Sequence, residues 1–157
     1  MKRTRLSFGW AWIALSLALA VHVTDEALTD FLSVYNPTVL AIRGRLPWLP
    51  LPTFTFKVWL SGLISGIGAL LALSSLAFRH TRWLTVPAYL LAILMMANGL
   101  QHMLGSVYLH RLMPGVYSSP LLLAGSTYLL LSVRNERRFL SGDAERIVRR
   151  EEREHAS

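Results

Sequence analysis

Four long apolar runs organise the chain: Leu6 to Thr24, Val58 to Phe78, Trp83 to His110 and Leu112 to Val133. No aspartate, glutamate, lysine or arginine interrupts any of them. A hydrocarbon layer of ~30 Å is crossed by ~20 residues of helix, so each run comes close to the length of a membrane span. The pattern predicts an all-α protein, an integral membrane four-helix bundle over residues 1–133, with spans at about 7–33, 57–78, 83–110 and 115–133. Residues 134–157 alternate charges at helical spacing and read as a charged cytoplasmic tail, helical or disordered.

The punctuation between spans refines this picture. The first helix is expected to begin near Ser7, run past Asp30 and end at Tyr35-Asn36-Pro37. Pro37, Pro47, Pro50 and Pro52 make the segment from Asn36 to Thr55 the largest expected non-helical connection, because proline removes a donor and disfavours helix before it. In the second span Ser61, Gly62, Ser65, Gly66, Gly68 and Ala69 offer a face of small residues against which another helix can approach closely. Met113-Pro114-Gly115 is a turn signal, and Pro120 suits the first turn of the fourth helix.

Charge changes the reading of compartment and partner. The formal net charge is +7, which in a soluble protein would suggest nucleic acid. Here the positive side chains sit mostly at alternate ends of the apolar runs, at Lys2, Arg3 and Arg5, then Arg79 and Arg82, then Arg134, Arg137 and Arg138, against Arg43, Arg45, Lys57 and Arg111 on the other side. That is the positive-inside pattern, so a multi-pass protein with both termini in the cytoplasm is expected, its partner the lipid bilayer and not nucleic acid. The start of the chain, with Ala18-Leu19-Ala20, also resembles a cleaved secretory signal. Three further runs follow, however, and cleavage would strand His22 at a new terminus. Cysteine is absent, which removes disulfides and thiolate chemistry.

Acid placement supplies the candidate chemistry. Outside the tail the only acids are Asp25, Glu26 and Asp30, all within six positions at the end of the first span. An ionisable group at membrane depth costs at least ~2.5–3.5 kcal/mol on insertion scales, so a cluster there calls for pairing, a ligand or a task. His22, Asp25 and Glu26 stand at i, i+3 and i+4 and share one helix face, while Asn98 and His102 form an i, i+4 pair on the third span. Counted from Arg5, His22 lies ~25 Å along its helix; counted from Arg82, Asn98 and His102 lie ~24 and ~30 Å along theirs. First and third spans are diagonal in an up-down bundle and both project inward, so all five residues can meet in the outer half of the membrane. His22, Glu26 and His102 are the candidate ligands of a divalent metal (Fe, Zn or Mn), with Asp25 and Asn98 as further ligands or orienting partners. Proton transfer among the same groups, and a purely structural polar knot, are the other physical outcomes.

His22-x-x-Asp25-Glu26, followed by Asn98-Gly-Leu-Gln-His102 and then Arg111-Leu-Met-Pro114-Gly115, resembles the HXXEE-motif family of prokaryotic integral membrane proteins. The resemblance implies a prokaryotic plasma-membrane protein in which His22, Glu26, Asn98 and His102 match motif positions, with Asp25 where the family has its first glutamate. It names no reaction. The leading expectation is a membrane-embedded enzyme with a buried His/carboxylate metal or acid/base site, acting on a lipid or other apolar small molecule, with His22, Asp25, Glu26, Asn98 and His102 as its residues. The alternatives are a small transporter or ion- or proton-binding protein, and haem carried between His22 and His102.

Overall fold

A computed structural model describes residues 2–79 and 82–135 of the chain; the expected charged tail beyond Asn135 lies outside the described residues. These residues form five helices and no strand: α1 (Lys2–Leu28), α2 (Phe31–Arg45), α3 (Phe56–Phe78), α4 (Thr85–Tyr108) and α5 (119–135), with a single 3-10 turn at Arg82–Leu84 leading into α4. Among the described residues three stretches are long and apolar enough to cross a membrane: Phe8–Leu28, Phe56–Phe78 and Thr85–Tyr108. Only 6% of the α3 stretch is buried within the protein, so most of that helix presents apolar surface outward.

The first helix stops earlier than expected, and the proline-rich connection starts later. The last turn of α1 closes with Thr29, which donates both its backbone N–H (2.9 Å) and its hydroxyl (2.6 Å) to the Asp25 carbonyl. Asp30 then turns left-handed (φ 57°, ψ 53°), a conformation aspartate tolerates better than most residues. The chain restarts as α2, which runs straight through Pro37. Proline there deletes one donor, to the Ser33 carbonyl, and the preceding Asn36 makes up for it elsewhere. Its amide donates to the Phe54 carbonyl (2.9 Å) and accepts from the Phe54 N–H (3.1 Å), while Tyr35 donates to the Pro52 carbonyl (3.1 Å). The extended segment after α2 is thereby pinned back along that helix.

The core is a stripe repeated on three helices. α1 buries Phe8, Ala11, Trp12, Leu15 and Ala18; Leu84, Ala88 and Ala92 line the approach to and first half of α4; α5 buries Leu122, Leu129 and Val133. The spacing of three and four residues puts each set on one face. Buried Trp12 donates its indole N–H to the Leu70 carbonyl of α3 (2.7 Å), and buried Ser16 and Ser126 bond back to carbonyls of their own helices. Close approach depends on three isolated glycines. A Cβ on Gly9 would strike the Phe78 ring; one on Gly99 would meet Leu123 and the Ser119 carbonyl at 3.1–3.3 Å; one on Gly125 would meet Ala18 and Leu15 at 3.3 Å. The small-residue face of α3 behaves otherwise than expected: Gly62, Gly66 and Gly68 have nothing within 4 Å of a Cβ position.

Candidate functional site

Each core stripe turns polar at the same end of the molecule. On α1 the buried face continues from Ala18 to His22 and Glu26; on α4 it continues from Ala92 to Gly99 and His102; at the start of α5 it comprises Ser118, just before the helix, and Ser119. His22 and His102 each sit six residues, or ~9 Å, before the C-terminal ends of their helices, Leu28 and Tyr108. Because α5 runs the other way, its N-terminus completes the constellation.

Glu26 lies between the two imidazoles. Its Oε1 is 3.1 Å from His102 Nε2 and 3.6 Å from His22 Nε2, and the two rings stand 4.9 Å apart at 70°. One ligand atom from each of the three residues lies within 4.8 Å of the other two. Relative exposures of 0% for His22, 1% for His102 and 5% for Glu26 leave almost no room for water to solvate these groups. Two ring nitrogens, His22 Nε2 and His102 Nδ1, are buried without a hydrogen-bond partner, a costly arrangement unless something else binds them.

The other face of His22 fixes its proton. Ser118 donates both its backbone N–H (2.9 Å) and its hydroxyl (2.7 Å) to Asp25 Oδ2. A hydroxyl has one hydrogen, and the carboxylate is a stronger acceptor than the Gly115 carbonyl at 3.2 Å. The 2.9 Å contact between Ser118 Oγ and His22 Nδ1 is therefore made by an Nδ1–H donating to the hydroxyl. Neutral His22 then carries its lone pair on Nε2, the atom that faces Glu26 and lacks a partner.

Room for the triad comes from Gly115. With φ at +83° it adopts a backbone conformation that favours glycine, and a Cβ there would meet Glu26 Cγ and His22 Cε1 at 3.0 Å and His102 Cε1 at 3.2 Å. The loop that carries it is tied to α4, since Met113 N–H donates to Ser106 Oγ (2.9 Å), which donates to the His102 carbonyl (2.7 Å).

No family model, curated protein or solved structure matches the chain. The site is therefore read from its own residues. His22, Glu26 and His102 meet as a buried triad; Asp25 points away from it and reaches His22 through Ser118. Asn98 makes no hydrogen bond to the triad but lines a cavity of about 380 Å3 whose wall also includes Glu26 and His102. Asp30, beyond the α1 break, is exposed. Sequence reasoning did not single out Ser118, and it read Gly115 only as part of a turn and of the motif. The one available signal for Ser118 was a serine pair just before Pro120, which reads equally as an ordinary helix start.

Proposed function

We propose that this chain is a membrane-embedded enzyme whose His22, Glu26 and His102 hold a divalent metal, and that it acts on a lipid or other apolar small molecule. The observation that carries the reading is the buried triad, with His22 Nε2 unpartnered and facing Glu26, and the cradle left open by Gly115. Two imidazoles and one carboxylate are a donor set used for Zn, Fe and Mn. A divalent ion bound there supplies Lewis acidity and an acidified water. Around it, Ser118 and Asp25 hold the His22 proton on Nδ1, and the burial of the triad limits competing bulk water. The basic ends of the apolar runs support cytoplasmic termini, and the His22-x-x-Asp25-Glu26 and Asn98-to-His102 motifs support kinship with the HXXEE-motif family.

The 3.1 Å contact of Glu26 with His102 favours one second reading, proton transfer between them without a metal. Haem fits poorly, because Glu26 Oε1 occupies the space between imidazoles only 4.9 Å apart, where a macrocycle would have to lie. A transport path fits poorly too, since the buried stripe beyond Ala18, Ala92 and Leu122 is closed by apolar side chains. Elemental analysis of detergent-purified protein separates the two surviving readings. Near-stoichiometric Zn, Fe or Mn is expected, lost in His22→Ala, His102→Ala and Glu26→Gln while helix content stays constant. Metal-free protein from metal-supplemented cells, or full metal content in all three variants, would refute the metal centre.

A further inference from the structure

The seams around the triad are not equally closed. α5 meets α4 tightly at Gly99 and α1 tightly at Gly125, leaving no space for a Cβ without contact. α3 rests on α1 and hardly approaches α4, although the two follow each other in sequence. The space between them, which Phe31 and Tyr35 of α2 also line, is the cavity of about 380 Å3, within the ~300–1,000 Å3 range of small-molecule sites. Trp59 and Leu63 of α3 form one wall, Leu94 and Ala97 of α4 the other, and Glu26 and His102 lie at its inner side. A neighbouring apolar cavity of about 350 Å3 shares Trp59 and Leu63 with it.

We propose that this cleft binds an acyl lipid drawn sideways from the bilayer, with the hydrocarbon chain between α3 and α4 and the carbonyl against Asn98 and Gln101, beside Glu26 and His102. The inference rests on the membrane reading given above but not on the metal. Two observations carry it. The walls are apolar and continue onto exposed surface, as at Leu90 (60%) and Leu94 (62%), so an entering chain passes from lipid to cleft without crossing water. Asn98 and Gln101 share a side of α4 at i, i+3, both line the cavity, and neither has a hydrogen-bond partner among the described residues. A bare amide facing hydrocarbon is costly, so a plain alkane leaves the cleft unsatisfied while a carbonyl accepts from it. A water-soluble polar ligand would gain nothing from the apolar walls.

The test uses the full chain in phosphatidylcholine nanodiscs doped with a phosphatidylcholine carrying a diazirine near its acyl carbonyl. A diazirine-bearing alkane of equal length is the second probe. After irradiation, adducts mapped by mass spectrometry should concentrate on the Trp59–Leu63 and Leu94–Gln101 peptides. Ala97→Trp, or Leu94→Trp as an independent block further along the wall, should remove that concentration. Asn98→Leu should lower acyl-probe labelling about fivefold, the worth of one hydrogen bond, and leave the alkane unchanged. Adducts spread over the whole apolar surface, including the open Ser65–Ala69 face of α3 that lines neither cavity, and indifferent to either tryptophan, would overturn the proposal. So would equal labelling by both probes in wild type and Asn98→Leu. Metal content measured on the same samples keeps the two readings apart, since focused labelling of metal-free protein would refute the metal centre alone.

Discussion

Replacing Ser118 by alanine tests whether the chain has built an orienting relay for His22. The substitution deletes the hydroxyl that accepts from His22 Nδ1 (2.9 Å) and donates to Asp25 (2.7 Å), but leaves the Ser118 backbone N–H on Asp25. His22 is fully buried, so its Nδ1–H finds no replacement water, and the stranded donor costs ~1–3 kcal/mol. The ring can recover by moving its proton to Nε2, but that removes the lone pair from the side on which the proposed metal would sit. Loss of such an orienting partner typically weakens metal binding ~10–100-fold. Competition titration of Zn2+ against a chromogenic chelator, on detergent-solubilised wild type and Ser118→Ala, should show a weakening in that range. Asp25→Asn keeps an oxygen able to accept from Ser118 and should lose less. Wild-type affinity in Ser118→Ala would refute the relay, and affinity lost in Asp25→Asn but kept in Ser118→Ala would show that Asp25 acts directly.

Other expectations follow from named contacts. Gly115→Ala puts a Cβ against all three triad residues in a left-handed backbone conformation, so thermal stability should fall by ~1–2 kcal/mol or more and metal content should drop with it. Gly125→Ala should destabilise by ~1–3 kcal/mol through its contact with α1, whereas Gly66→Ala, in open space, should be neutral or slightly stabilising; thermal unfolding in one detergent compares them. Asn36→Ala frees Phe54 from α2, and faster proteolysis within residues 46–54 should report the loss.

Much of the site was legible because helix periodicity is local. His22 and Glu26 are one turn apart, and the depth count from Arg5 and Arg82 correctly brought His102 to their level. Asn98 shows the edge of that reasoning: one turn from His102 it shares the helix side, yet it belongs to the cavity wall and not to the triad. Ser118 was invisible for a different reason, since its partners are 93 and 96 positions away and only the reversal into α5 brings them together. Pro37 misled because a donor deleted in one turn of a helix is a small loss when Asn36 anchors the neighbouring segment. The glycines of α3 misled because small size permits close approach without requiring it.

The long separation between Asp25 and Ser118 bears on how the protein is made. A ribosome adding ~5–20 residues per second delivers the N-terminal helix several seconds or more before the segment that satisfies Asp25. On the membrane reading proposed above, the end of the helix bearing His22, Asp25 and Glu26 would linger at the wet surface of the bilayer during that interval, because full burial of unpartnered charge costs several kcal/mol. Arrival of residues 115–119 works as a keystone: chains stopped short of it should remain incompletely inserted and open to quality-control proteases.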